Sequence, residues 1–224
     1  MRINVFGDIV PNDDAWVYDY LTMDCCCPSR VTAALEDAAG QAVDVYINSG
    51  GGDIFAGSEI YSALRGYKGS VTVHVVGLAA SAASVIACAG RCIMSPTAMM
   101  MVHNVSSAAS GDYHEMDKAA ELLRKANSAI ASAYVAKTGM AEADALAMMD
   151  KETWLTAAEA VTYKLADAVE EPAAKPTQMA ASMGRALSAE TLQHIRDTVK
   201  SPAARKAQAE INILKLRGDN HETE

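Results

Sequence analysis

The most informative segment for the fold is residues 71–87, VTVHVVGLAASAASVIA. Its first six residues are mainly β-branched and predict a strand, and the small apolar residues after Gly77 predict a tight turn into a buried helix. This geometry places Ser81 at the N-terminus of the helix, where unpaired N–H groups and the helix dipole favour an anion beside the serine oxygen. Ser81 is therefore a candidate nucleophile, although a serine that only caps a core helix explains this stretch equally well.

The segments around this stretch predict an α/β fold with a parallel sheet. Residues 43–48 alternate as a strand, residues 49–53 form a glycine-rich turn, and residues 54–67 form a helix that leads into the strand at 71–76. Strand, helix and strand in this order make a βαβ unit, whose strands run parallel. A further extended segment follows at residues 98–103.

A long helix is predicted over residues 111–137, because apolar side chains recur there at helical spacing for about seven turns. A helix of this length in a small α/β domain usually projects toward a partner subunit, and the alternative is a helix packed on the surface of its own domain. A short helix follows at 142–149, and Thr156 with Glu159 forms a capping box that begins another.

The composition changes at Pro172, where a linker-like segment rich in proline and alanine begins. We therefore predict one domain over residues 1–171, a linker over 172–187 and a helical tail over 188–224. The apolar positions of the tail are too few for it to fold alone and suit docking on another surface.

The overall composition excludes several classes of protein. Half of the 224 residues are hydrophobic and the net charge is −9, with 21 acidic and 11 basic side chains (−10) in residues 1–170. Such an acidic body argues against nucleic-acid binding. The absence of an apolar run of about 18 residues argues against a membrane span, and the early charges argue against a signal peptide, so we expect a cytoplasmic protein.

The cysteines and glycines give no indication of a cofactor. The five cysteines have neither a disulfide framework nor zinc-ligand spacing, so we expect reduced thiols and no metal. The glycines at 50–52 follow a strand but lack the known phosphate-binding spacings, which makes a nucleotide cofactor a poor interpretation. Their better use is to expose backbone N–H groups, two of which are needed for an oxyanion hole.

His103 differs from the other histidines because it ends an extended run and begins a polar loop. The carboxyl ends of parallel strands are where catalytic groups are placed in α/β proteins. A lone histidine at a strand end is more often structural. Beside Ser81 and a glycine turn, a catalytic role becomes the better interpretation.

Four ordered motifs now show a resemblance to a known family. INSGGG (47–52), GLAASAA (77–83), MVH (101–103) and KETWLTAAEAVTYKLAD (151–167) resemble the glycine loop, nucleophile, histidine and carboxylate motifs of the ClpP serine peptidases. The resemblance spans roughly residues 3–170. It implies a crotonase-like α/β fold of repeated ββα units with a parallel sheet, and a long handle helix at 111–137 through which rings associate.

The resemblance also assigns roles to individual residues. Ser81 would be the nucleophile and His103 its general base, and the N–H groups of Gly52 and Ala82 would form the oxyanion hole. Glu152 stands where the family has the aspartate of its triad, and Asp150 is the alternative. Gly50 replaces the proline of the family's glycine loop, which loosens the turn without removing a donor.

The implied partners are a polypeptide substrate and further copies of this chain in a ring of six or seven subunits, possibly stacked. The short N-terminus and the appended tail are more similar to the ClpP-related head maturation proteases of phages and prophages than to the housekeeping peptidase, so phage capsid or scaffold proteins are candidate partners. Because Met1 nearly coincides with the first strand, the family's segment that engages a hexameric unfoldase has no counterpart, which argues against an ATPase partner.

Two other functions are consistent with the sequence. An enoyl-CoA hydratase-like enzyme of the same fold also uses two backbone N–H groups as an oxyanion hole, but it needs neither Ser81 nor His103. A capsid-assembly or scaffolding protein with a vestigial triad would explain the apolar tail.

Overall fold

Eight strands form one sheet in residues 1–171, the part of the chain that the computed structural model describes. The strands are β1 (Arg2–Ile9), β2 (Cys25–Cys26), β3 (Val43–Gly52), β4 (Val71–Ala80), β5 (Arg91–Met94), β6 (Met99–Val102), β7 (Thr153–Thr156) and β8 (Ala168–Val169). Six of them run parallel in the order β2-β1-β3-β4-β5-β8, while β6 pairs in parallel with the end of β4 and antiparallel with β7. The α/β class and the parallel sheet are confirmed.

Seven α-helices accompany the sheet within the same residues. They are α1 (Ala15–Tyr20), α2 (Pro28–Ala38), α3 (Ile54–Gly66), α4 (Ala82–Ala87), α5 (Tyr113–Thr138), α6 (Glu142–Asp150) and α7 (Ala157–Thr162). The predicted capping box of Thr156 and Glu159 starts α7, and a second box of Asp112 and Glu115 starts α5. None of these helices, within residues 1–171, has the length and apolar character that a membrane span requires.

The core forms where alternate residues of the central strands meet the buried helix α4. Along β1, β3 and β4 every second side chain is excluded from solvent over much of each strand, and every residue of α4 is buried. This alternation follows from the period of two in a strand, which directs successive side chains to opposite faces. The sheet therefore presents the ends of β3, β4 and β6 as fixed backbone.

The glycine stretch is where the structure departs from the sequence prediction. The predicted turn at 49–53 is wrong, because β3 continues through Gly52 and pairs Ser49 with Ala79 and Gly52 with Ile9. Gly51 and Gly52 remain in the sheet at φ values of 97° and 148°, which glycine adopts at little cost. The strand β4 likewise extends four residues beyond the predicted end at 76, to Ala80.

Helix α5 is buried only toward its C-terminal end. Ile130, Ala131, Ala133 and Tyr134 are its buried residues, whereas Tyr113 and Leu122 are 69% and 64% exposed. The first half of the helix therefore exposes apolar side chains to solvent.

All five cysteines are free thiols. The predicted linker at 172–187 and the predicted tail at 188–224 lie outside the described residues.

Candidate active site

Ser81 occupies a sharp turn between β4 and α4. Its φ and ψ are 55° and −126°, a conformation that costs a non-glycine residue energy unless the surroundings enforce it. Its N–H donates to Met101 O at 3.0 Å, and its carbonyl accepts from Ser84 N at 2.9 Å and from Ser84 Oγ at 2.7 Å. These hydrogen bonds hold the strained turn and fix the backbone from which the hydroxyl projects.

His103 follows β6 directly and lies beside Ser81. The pairing of Ala80 with Met101 brings the ends of β4 and β6 together. As a result, His103 Nε2 and Ser81 Oγ are 2.7 Å apart. When Nδ1 carries the ring proton, Nε2 accepts a hydrogen bond from the hydroxyl, which is the arrangement a general base requires.

The backbone around Ser81 supplies two candidate oxyanion donors. Ala82 is the first residue of α4, so its N–H has no acceptor within the helix. At the end of β3, the N–H of Asp53 donates to Ile9 O of β1 at 2.8 Å. Successive N–H groups along a strand point to opposite sides, so the N–H of Gly52 faces β4.

The glycine stretch also permits the close approach of β3 to Ser81. A Cβ at Gly51 would lie 2.7 Å from Ser81 Cβ, and a Cβ at Gly52 would lie 2.1 Å from Ile9 O. Gly51 N donates to Ser49 Oγ at 3.0 Å, so Gly52 rather than Gly51 is the candidate donor. A Cβ at Gly50 would meet no atom within 4 Å, so this position tolerates a side chain.

The two carboxylates considered as the third catalytic residue contact other side chains. Glu152 accepts a hydrogen bond from Trp154 Nε1 at 3.3 Å, and Asp150 accepts one from Asn104 Nδ2 at 2.7 Å. Among residues 1–171, no carboxylate is hydrogen-bonded to His103. The antiparallel pairing of β6 with β7 ends at Val102 and Thr153, the chain neighbours of His103 and Glu152, and Glu152 itself lies in a turn with a φ of 48°.

A small cavity of about 20 Å³ adjoins Ser81 and His103. Its walls are mostly apolar and come from α3, α4, α5 and the loop after β6: Ile54, Val85, Val105, Ile130 and Tyr134. It is large enough for little more than a small side chain.

The other histidines lie elsewhere. His74 Nε2 is 3.0 Å from Asp44 Oδ1, and its ring stacks on Tyr46. His114 is in the first turn of α5, while His194 and His221 lie outside the described residues. Within residues 1–171, no group of three or more potential ligands could hold a metal ion.

Sequence reasoning missed three polar residues that surround the site. Ser84 bonds to the carbonyl of Ser81, Tyr134 bonds to Ser84, and Asn127 bonds to the backbone of Val105. The spacing of Ser81 and Ser84, three residues apart at a helix start, is the signal that could have identified the first. Tyr134 and Asn127 act across long sequence separations and carry no comparable signal.

Comparison with known proteins decides the family. The family model described as Clp protease matches residues 29–173. The chain belongs to the Clp protease family. The Clp match covers the glycine stretch, Ser81, His103 and Glu152, and it confirms the resemblance inferred from the four motifs.

Curated relatives agree with this assignment. The chain is 32% identical over 135 residues to the ATP-dependent Clp protease proteolytic subunit 1 of Chlamydia muridarum, which covers 58% of this chain and 70% of that protein. The corresponding subunit of Chlamydia abortus is also 32% identical over the same lengths. A ClpP1 mutant from Listeria monocytogenes has a similar fold, with a TM-score of 0.63 and 21% identity over 77% of this Clp chain and 92% of that one.

Proposed function

We propose that this chain is a serine endopeptidase that hydrolyses peptide bonds with Ser81 as nucleophile and His103 as general base. The observation that carries the proposal is the 2.7 Å distance between Ser81 Oγ and His103 Nε2 in a member of the Clp protease family. Family membership also favours a peptidase over the enoyl-CoA hydratase-like alternative, which has no use for this pair.

The proposed reaction follows from the positions of these groups. His103 Nε2 takes the proton of the Ser81 hydroxyl as Oγ attacks the carbonyl carbon of the scissile bond. The oxyanion that forms accepts hydrogen bonds from the N–H groups of Gly52 and Ala82. The imidazolium then protonates the leaving amine, and water hydrolyses the acyl-enzyme with His103 again as base.

Glu152 is the proposed third residue, with Asp150 as the alternative. A carboxylate that accepts from His103 Nδ1 fixes the tautomer and stabilises the imidazolium. Glu152 is next to Thr153, whose partner Val102 is next to His103, and a change of the Glu152 rotamer away from Trp154 is the movement the proposal requires. Apo enzymes often have catalytic hydrogen bonds that form fully only with substrate.

We propose that a substrate polypeptide lies as an added strand beside the site, with main-chain hydrogen bonds giving most of its affinity. The residue before the scissile bond would place a small apolar side chain in the cavity of about 20 Å³ beside Ser81. Larger side chains would require Ile130 or Tyr134 to move.

Members of the family form rings, and we propose a ring of six or seven copies for this chain. The exposed apolar side chains of α5, Tyr113 and Leu122, are consistent with contacts between copies. We place the ring in the cytoplasm, where free cysteines such as the five of this chain persist.

We further propose a role in phage head maturation, with capsid or scaffold proteins as substrates. The support is the segment 174–224, which extends beyond the family match. Incubation with purified capsid and scaffolding proteins of tailed phages tests this role, and intact substrates under conditions where casein is cleaved would contradict it.

The experiment that tests the peptidase is the hydrolysis of casein, an unfolded polypeptide, by the purified chain and by Ser81→Ala. We expect hydrolysis by the parent chain and none by the variant, at unchanged thermal stability. Ser132→Ala is the matched control, because the Ser132 hydroxyl donates to Ala129 O within α5, away from the site. Equal cleavage by Ser81→Ala, or hydration of crotonyl-CoA without proteolysis, would contradict the proposal.

A further inference from the structure

A buried chain of hydroxyl groups joins α5 to the backbone of the nucleophile. Tyr134 OH lies 2.8 Å from Ser84 Oγ, and Ser84 Oγ lies 2.7 Å from Ser81 O. Tyr134 is 3% exposed and Ser84 is fully buried. Buried polar groups without partners are costly, so these hydrogen bonds are strongly favoured over conformations that leave the hydroxyl of Tyr134 or Ser84 without a partner.

The direction of each hydrogen bond follows from the number of protons. The carbonyl of Ser81 can only accept, so the single hydroxyl proton of Ser84 is donated to it. Ser84 Oγ must then accept from Tyr134, whose phenol is the donor. Burial raises the pKa of Tyr134, which keeps the phenol protonated and able to donate.

This chain of bonds ends on the strained residue. Ser81 has a φ of 55°, and such a conformation persists only when several interactions enforce it. The carbonyl of Ser81 is the atom that Ser84 holds, and rotation of that peptide would also move Oγ relative to His103. The hydrogen bond from Tyr134 makes Ser84 a better donor, because bonds in a chain polarise one another.

A second contact from the same helix reaches the segment of the other catalytic side chain. Asn127 Oδ1 accepts from Val105 N at 2.8 Å, two residues after His103. Asn127 and Tyr134 are seven residues apart, which is close to two helical turns and places both on the same side of α5. One rigid helix therefore contacts the segments that carry Ser81 and His103.

We propose that α5 positions the catalytic pair, with Tyr134 holding Ser81 through Ser84 and Asn127 holding the loop that follows His103. Tyr134, Ser84 and Asn127 are positioning residues, because each acts on the backbone around the pair rather than on the Ser81 hydroxyl or the imidazole. The inference rests on the proposed peptidase and adds the elements that keep its two reacting atoms 2.7 Å apart.

Tyr134→Phe tests the first arm. The variant keeps the ring that lines the cavity beside Ser81 and removes only the hydroxyl, and Ser132→Ala is the control on the same helix. We expect kcat for a fluorogenic peptide amide, and the maximal inactivation rate by a fluorophosphonate, to fall about three- to tenfold, the size of one hydrogen bond. KM and the concentration for half-maximal inactivation should stay unchanged, because positioning affects the reaction rather than binding.

Ser84→Ala completes a double-mutant cycle with Tyr134→Phe. Because both changes break the same chain of bonds, the double variant should be no slower than Ser84→Ala alone. Additive losses, or a Tyr134→Phe enzyme with the parent kcat, would overturn this arm. A parent chain that neither cleaves peptide nor reacts with the fluorophosphonate would instead contradict the proposed function.

Asn127→Ala and Asn127→Asp test the second arm. The aspartate keeps an oxygen acceptor for Val105 N–H, whereas the alanine leaves this N–H without its partner. We expect Asn127→Asp to retain the parent kcat and Asn127→Ala to lower it several-fold. Equal kcat values for the two variants would overturn the role of Asn127.

Discussion

Ser81 and His103 are in hydrogen-bond contact, whereas the two carboxylates near them bind other side chains. Ser81 Oγ and His103 Nε2 are 2.7 Å apart, but Glu152 accepts from Trp154 and Asp150 accepts from Asn104. The first pair is held by sheet pairing, since Ser81 N bonds to Met101 O. The carboxylates are exposed and depend on side-chain rotamers.

Sheet register positions a backbone more strictly than it positions a long side chain. The pairing of Val102 with Thr153 joins the chain neighbours of His103 and Glu152. Glu152 itself has a φ of 48° and several rotatable side-chain bonds, so the sheet does not fix the position of its carboxylate. Ser81 and His103, the proposed nucleophile and base, are therefore preorganised, and the carboxylate of Glu152 is the adjustable member.

The largest expected effect comes from breaking the preorganised pair. Ser81→Ala and His103→Ala should each lower kcat by up to about 10⁶-fold, and the double variant should be no slower, because members of a catalytic unit do not act additively. Peptide hydrolysis by the three variants measures this. A His103→Ala enzyme that retains a tenth of the parent activity would show that His103 is not the general base.

The next effect distinguishes the two carboxylates. Glu152→Gln should lower kcat by up to about 10⁴-fold, the loss known for the corresponding substitution in a serine protease with an aspartate triad, because the neutral amide no longer stabilises the imidazolium. Asp150→Asn is the matched variant and should have little effect. The opposite ranking of kcat would make Asp150 the third residue while leaving Ser81 and His103 in place.

A smaller effect is expected when an added methyl group on β3 crowds Ser81. Gly51→Ala should lower kcat about 10- to 100-fold, because the added Cβ would lie 2.7 Å from Ser81 Cβ at a φ of 97° and must displace the nucleophile. Gly50→Ala, one residue earlier, has open space and should behave as the parent chain does. If the two alanine variants are equally active, the close approach of β3 has no bearing on the reaction.

The smallest effect is expected from releasing the Glu152 carboxylate from Trp154. Trp154→Phe removes the indole N–H that holds Glu152 and keeps an aromatic ring, so kcat should rise by about twofold or less, the value of one exposed hydrogen bond. The same substitution in the Glu152→Gln background should change nothing. A large fall in kcat would mean that Trp154 supports the site in another way.

Much of the fold could be predicted from the sequence, because alternation and helical spacing are local signals. Helix α5 begins two residues after the predicted start and ends one residue after the predicted end. The extents of β3 and β4 could not, because glycine and alanine runs are typical of turns and also fit a strand whose neighbours leave no room for side chains. The predicted turn at 49–53 and the observed strand therefore differ where β3 approaches Ser81.

The candidate site, like the fold, could be predicted only in part. Ser81, His103 and Glu152 could be named from ordered motifs, and the approach of Ser81 to His103 follows from the pairing of β4 with β6. The rotamer of Glu152 and the bond from Tyr134 to Ser84 could not be predicted, because the first depends on an exposed side chain and the second joins residues 50 positions apart. Tertiary packing alone determines such contacts.

The most direct test of Ser81 as nucleophile and His103 as base is the reaction of the chain with a fluorophosphonate, followed by intact mass and peptide mapping. We predict one adduct per chain, located on Ser81, and a rate of labelling that falls at least about 10³-fold in His103→Ala, since the base activates the hydroxyl. An adduct on another serine, or undiminished labelling of Ser81 in His103→Ala, would contradict the assignment of Ser81 and His103 as nucleophile and base.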